Sequence, residues 1–410
     1  MYTRRQFLTR SLRSSSLLAF GTVVPQFVAL TARAAPAGKD TVLVVIEMTG
    51  GNDGLNTVIP YADDLYHKAR PTLRQTKDTV TRLDGHVGLH PRMQGFRSLW
   101  DQGQLAVVQA VGYPNPDRSH FEAMDIWQSA DPKRIANTGW LGRATAEIKD
   151  LGGGVPVLHI GANRLPLALA GTPGGAVSIN DENSFHLELG GNDNKEARRR
   201  LLANLSATRP NNQDSDLAAF VRRRQVQTLT AVDNLQALLQ DTRGFRSGTS
   251  TLNEKLQLIA NLIDRGFGTR IFYVNLDGFD THAEQGRQHG SLLGDLADAI
   301  DSFFQSLKRT GHGERVRVMT FSEFGRRVYE NSSRGTDHGA ASCMFVAGPS
   351  VKGGVVGKHA SLADLDAGDL KFHIDFRRVY ATLLDDWLGC DSSAVLNAKW
   401  EHVKELELRT

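Results

Sequence analysis

Five separated stretches of the sequence carry acids, histidines or a hydroxyl at spacings that suit metal binding or ester chemistry. In "NLDGFDTH", Asp277, Asp280 and His282 fall within six residues, a density that packing alone does not require. Oxygen and nitrogen donors so spaced suit zinc, manganese or magnesium. "TFSEFGRR" supplies Glu323 and Arg326, and "RGTDHGAAS" sets Asp337 and His338 between two glycines. "EMTGGNDGLNT" brings Glu47, Thr49, Asn52 and Asp53 around Gly50 and Gly51, where the backbone can approach whatever Asn52 and Asp53 hold. "SHFEAMDIWQSA" opens with Ser119 and His120. A hydroxyl at a helix N-terminus is where a nucleophile attacking phosphorus or sulfur is stabilised. Each stretch also has a plain structural reading. Asn52 or Asp53 can cap a helix, Ser119 with Glu122 has the spacing of a capping box, and Asp337–His338 can be a polar turn.

What separates these readings is whether the chain brings the five stretches to one place. Short apolar runs alternate with helical patterns, which predicts a layered α/β fold. The strand candidates are 41–48, 105–112, 155–161, 270–277, 315–321 and 342–348, and their near-continuous apolarity predicts a sheet covered on both faces. Leu292, Leu296, Ile300, Phe303 and Leu307 recur at helical spacing between the fourth and fifth runs, a crossover helix joining parallel strands. Leu256, Ile259 and Ile263 mark the helix leading into the fourth. "HIDFRRVYATLLDDWLG" reads as a closing amphipathic helix, and the polar texture of about 171–251 as an insertion or cap. Ligands of parallel sheets bind outside the carboxyl ends of the strands. With an antiparallel strand at 342–348, all five stretches reach that one rim.

The N-terminus has a different purpose. Arg4 and Arg5, then Phe7 and Leu8, precede a moderately apolar stretch from Leu17 to Leu30 and small residues at 32–38. This is the pattern of a twin-arginine signal peptide over 1–35, its alternative being a retained anchor. The stretch is too short and too weakly apolar for a stable membrane span. Five of the 48 basic residues lie in the leader, leaving 43 against 45 acidic ones in the mature chain. That balance argues against a nucleic-acid or polybasic membrane surface. Cys343 and Cys390 are the only cysteines. They fit no cysteine zinc site, and a mature chain of about 375 residues can bury enough core without a disulfide.

"GGNDGLNTVIPY", "SHFEAMDIWQSA", "NLDGFDTH", "TFSEFGRRVYENSSRGTDHGAA", "GPSVKGGVVG" and "DFRRVYATLLDDWLG" together resemble the exported bacterial family called domain of unknown function 1501, over nearly the whole mature chain. More distantly the chain resembles the alkaline phosphatase and sulfatase superfamily. That likeness implies a three-layer α/β/α sandwich with a mostly parallel central sheet and a metal site at its carboxyl rim. Carried over by position, Asp277, His282 and His338 match metal ligands, Glu323 takes the place of the aspartate in an Asp-His pair, and Asp53 is a looser match. Ser119 sits where the superfamily has its nucleophile. Asn52, His120, Asp280, Arg326 and Asp337 are expected around these, supporting ligands or touching substrate. Phe324 stands where the pair continues with histidine, so one ion is expected in preference to two.

The resulting expectation is an exported protein, periplasmic or extracellular, with a metal-dependent site for a phosphate or sulfate ester of a small molecule or polysaccharide. The twin-arginine machinery is its expected export partner. The competing expectation is a non-catalytic envelope binding or assembly protein on a degenerate phosphatase-like fold.

Overall fold

A computed structural model describes residues 40–148, 154–161, 165–179, 185–188 and 250–406, together with Leu235. Asp40–Thr410 makes up one compact unit. The expected signal peptide and most of the expected insertion at 171–251 lie outside the described residues. No helix among the described residues is long and apolar enough to cross a membrane.

The frame is a ten-stranded sheet. Its strands are β1 (Val42–Thr49), β2 (Leu105–Gly112), β3 (Val157–Ile160), β4 (Ala176–Ile179), β5 (Phe185–Glu188), β6 (Ile271–Asp277), β7 (Val316–Phe321), β8 (Ser342–Ala347), β9 (Gly354–Val356) and β10 (Ile374–Asp375). They run in the order β9-β2-β8-β7-β1-β6-β3-β4-β5, with β10 also paired to β2. β1 lies parallel to both β6 and β7, and β3 to β6 and β4. β8 is antiparallel to β7 and to β2, as its place in the sequence argument required. The carboxyl ends of β1, β2, β6 and β7 and the start of β8 therefore share one edge.

Alternation along β1 explains why the sheet is covered twice. Val42, Val44, Ile46 and Met48 enter the core beneath α1 (Gln94–Asp101), α4 (Leu252–Asp264) and α5 (Gln285–Thr310). Leu43 and Val45 enter the opposite core, beneath α2 (His120–Ser129), α3 (Trp140–Glu147) and α6 (Phe376–Leu383). Successive strand side chains point to opposite faces, so an apolar run with no polar phase needs a layer on each side. The fold is a three-layer α/β/α sandwich. α5 is the expected crossover, carrying the chain from β6 past β1 to β7.

One local expectation differs. The closing helix is α-helical only to Leu383 and widens into a π turn at Leu384–Leu388 before Gly389 at φ +69°. The turn seats Trp387 at the foot of β1. There its indole donates to the Val42 carbonyl at 3.0 Å and the Arg317 guanidinium lies 4.1 Å from its ring. The two cysteines are free and buried, Cys343 in one core layer and Cys390 in the other, where each thiol behaves as a small apolar group.

Candidate functional site

At the shared edge three imidazoles converge on one carboxylate oxygen. Asp280 Oδ1 lies 3.0 Å from His282 Nε2, 3.2 Å from His338 Nε2 and 3.4 Å from His120 Nε2. One ligand atom from each of His120, Asp280 and His338 falls within 4.8 Å of the others, a spacing that can hold a metal ion. His282 joins this group, its Nε2 also lying 2.9 Å from His338 Nε2.

Each imidazole is held from behind. His120 Nδ1 lies 2.9 Å from Glu323 Oε1, His338 Nδ1 donates to the Arg118 carbonyl at 2.8 Å, and His282 Nδ1 is 3.4 Å from Asp337 Oδ1. An acceptor behind Nδ1 places the proton there and leaves Nε2 as a lone pair facing inward. That tautomer leaves two lone pairs opposed at 2.9 Å between His282 and His338, which a cation or a shared proton relieves. His120 Nε2 is buried and makes no hydrogen bond. An orphaned inward nitrogen, two opposed lone pairs and a carboxylate form a donor set that fits a divalent metal rich in nitrogen ligands.

Local sequence explains how the loops come so close. Gly50 has φ +119°, and a Cβ there would stand 2.4 Å from the Asp280 amide. Only glycine allows the β1 and β6 loops to touch. The Gly50 amide donates to Glu323 Oε1 at 2.8 Å, tying both to the end of β7. A Cβ on Gly335 would lie 2.2 Å from the His282 carbonyl carbon, so the "GTDHG" loop also packs directly on the histidine loop. Antiparallel pairing of Arg326 with His338 completes the frame.

Charge follows the same geometry. Burial pushes the Asp280 carboxyl up, but the hydrogen bond and charge of Arg326 outweigh it and hold the group at about 2. The hydrogen bond to Glu323 raises His120 above the ordinary histidine range, against burial. Burial lowers His338. Asp337 is lowered, first by its hydrogen bond from Asn331.

The expected residues thus divide by position. Asp280, His282, His338 and His120 meet at the centre. Glu323 stands behind His120 with Ser322 Oγ 3.0 Å from its other oxygen, and Asp337 stands behind His282. Arg326 is wholly buried and bonded to Asp280. Asp277 is exposed at the end of β6, outside the cluster. Asp53 lies beneath the rim in a buried pair with Arg70, 2.5 and 3.0 Å between their polar atoms, and takes a further hydrogen bond from Gln285. Asn52 accepts from Thr57 at 2.9 Å and faces His289 Nε2 at 3.0 Å, bracing the same loop.

Ser119 occupies the N-cap of α2, yet its hydroxyl makes no capping bond. Glu122, the other half of the expected capping box, pairs instead with Arg134. The exposed hydroxyl is left uncommitted next to His120 in the chain. Sequence reading gave His120 and Asp280 supporting places. The available signal was His120 in the first turn after a rim loop, the position from which an N-terminal helix side chain reaches over the strand ends.

Several solved structures are similar in the course of the chain. The PsFucS1 sulfatase from Pseudoalteromonas sp. is 11% identical with a TM-score of 0.40, covering 91% of this chain and 74% of that one. The lipoteichoic acid synthase LtaP from Listeria monocytogenes is 9% identical with a TM-score of 0.36, over 91% and 77%. The periplasmic domain of EcEptC from Escherichia coli, in complex with Zn, is 10% identical with a TM-score of 0.34, over 75% and 73%. At such identities and TM-scores the chemistry of the site rests on its own geometry. Among curated proteins none matches the sequence. The family described as "Protein of unknown function (DUF1501)" matches residues 40–398, and the chain belongs to it.

Proposed function

We propose that this protein is an exported, metal-dependent hydrolase of phosphate or sulfate esters. The observation that carries the reading is the convergence of His120, His282 and His338 on Asp280 Oδ1, with an acceptor behind every Nδ1. His120, His338 and Asp280 would hold one divalent ion, with His282 completing the set. The nitrogen-rich donors favour zinc, then manganese, over magnesium. A bound ion would act there as a Lewis acid toward an ester oxygen.

The residues of the chain supply the rest. Ser119 offers an uncommitted hydroxyl at the N-terminus of α2, where the helix dipole favours developing negative charge. Its oxygen bonds to phosphorus or sulfur as the alcohol of the ester leaves with a proton. Water then releases phosphate or sulfate and restores the hydroxyl. Glu323 and Asp337 keep two imidazoles turned inward. The leader pattern supports export by the twin-arginine machinery to the periplasm or beyond, where small-molecule or polysaccharide esters are met.

A second reading is a binding or assembly protein without turnover. The observation in its favour is Phe324, a buried ring packed 4.9 Å from the His120 ring and 4.7 Å from that of His338, where a further ligand would otherwise reach the cluster. Zinc- or manganese-loaded protein should hydrolyse an aryl phosphate or aryl sulfate, and chelator or Ser119→Ala should abolish it. Protein that takes up metal but turns over neither ester supports the second reading.

A further inference from the structure

Arg326 is wholly buried, and oxygen atoms from three loops enclose its guanidinium. Its Nε donates to the Gly51 carbonyl at 2.7 Å and its Nη1 to that of Thr336 at 2.8 Å. Its Nη2 donates to Asp280 Oδ1 at 2.7 Å, to the Phe279 carbonyl at 3.1 Å and to the Gly50 carbonyl. Nη1 also lies 3.5 Å from His282 Nε2. Four backbone carbonyls and a carboxylate oxygen around one positive centre resemble the oxygen set that a hard divalent cation takes. Here the Arg326 guanidinium fills it.

We propose that Arg326 is the permanent cation of this cluster: it fills the oxygen-lined inner half of the cleft, aims Asp280 Oδ1 at the imidazoles, and leaves room for one exchangeable ion. The inference rests on the metal-site reading above. Its physical basis is that the carbonyls of Gly50, Gly51 and Thr336 meet at the guanidinium, where without it they would be buried acceptors lacking a donor, whereas the Phe279 carbonyl has a second donor in the Thr281 amide at 2.8 Å. The fork of the guanidinium matters as well as its charge, since one planar group bridges three loops at fixed angles. Arg326 is a positioning residue, acting through Asp280.

The test is metal uptake by the folded, leader-processed protein, read as zinc per chain and as the visible spectrum of bound cobalt(II). Wild type should take up one ion. Arg326→Lys keeps the charge but loses the fork, so its zinc affinity should fall by a factor of about 10 to 100, as for other residues that orient ligands. Arg326→Ala should regain affinity and cobalt spectrum on addition of millimolar guanidinium, but not of equimolar sodium chloride, and should take up calcium, which wild type does not. Should the alanine variant fail to fold, the lysine variant decides. Wild type binding one ion, with folded Arg326→Lys unchanged in affinity and spectrum, overturns this inference alone. Wild type binding no ion overturns the metal-site reading and this inference with it.

Discussion

Glu323 holds His120 in place: its Oε1 lies 2.9 Å from His120 Nδ1 and accepts the Gly50 amide at 2.8 Å, so one buried carboxyl couples the β7 end, the β1 turn and the α2 imidazole. A group so placed sets the direction in which His120 Nε2 points. Glu323→Gln keeps the size and one acceptor oxygen but weakens the hold on Nδ1. Zinc affinity should fall by about 10- to 100-fold. Competition against a chromogenic chelator measures it; unchanged affinity would show that His120 needs no such partner.

Ser119 separates structure from chemistry. An ordinary N-cap serine replaced by alanine costs about 1 kcal/mol. The Ser119 hydroxyl makes no capping bond, so Ser119→Ala should change unfolding free energy by less than about 0.5 kcal/mol. Ester turnover should vanish in the same variant. A full capping loss in denaturant melts, with turnover intact, would reverse the assignment.

Much of the site was legible because strand ends are legible. The apolar runs at β1, β2, β6, β7 and β8 locate the carboxyl edge, and the rim loops follow from it. Partners that come from elsewhere in the chain were not legible. Asp53 meets Arg70 only once the segment between them folds back, and no local spacing marks that pairing. The Ser119–Glu122 spacing pointed to a capping box, but Arg134 beyond the helix takes Glu122. Arg326 was legible as a residue supporting ligands or touching substrate, but not the carbonyls that surround it, which come from three loops. The π turn at Leu384–Leu388 is set by the docking of Trp387 on β1, a tertiary contact that helical periodicity does not encode.

Asp53 and Arg70 predict an acid limb. Burial raises the Asp53 carboxyl, but the charge and hydrogen bonds of Arg70 outweigh it and bring it from 3.8 to about 2. A depressed carboxyl stabilises the fold fully above its unfolded value and loses that contribution as pH falls through its folded one. Urea midpoints should therefore drop between about pH 4 and pH 2, with a shallower drop in Asp53→Asn. At neutral pH that variant should lose about 3 to 5 kcal/mol, because it strands a buried guanidinium. Its zinc stoichiometry should remain that of wild type. A neutral-pH loss below about 0.5 kcal/mol would mean the pair carries no stability.

The claim that His120, His282, His338 and Asp280 form a metal site is tested most directly by metal uptake in wild type, His338→Ala and Asp337→Asn. The three proteins are stripped with chelator, dialysed against zinc or, separately, manganese and analysed for bound metal and thermal unfolding. The account predicts one zinc per wild-type chain, most of it lost in His338→Ala, with a fall in melting temperature no larger than lost metal linkage explains. Asp337→Asn, altered only behind His282, should lose affinity by a smaller factor of about 10 to 100. Wild type that takes up no zinc or manganese, or His338→Ala that binds as wild type does, would contradict the account and leave the cluster a polar turn.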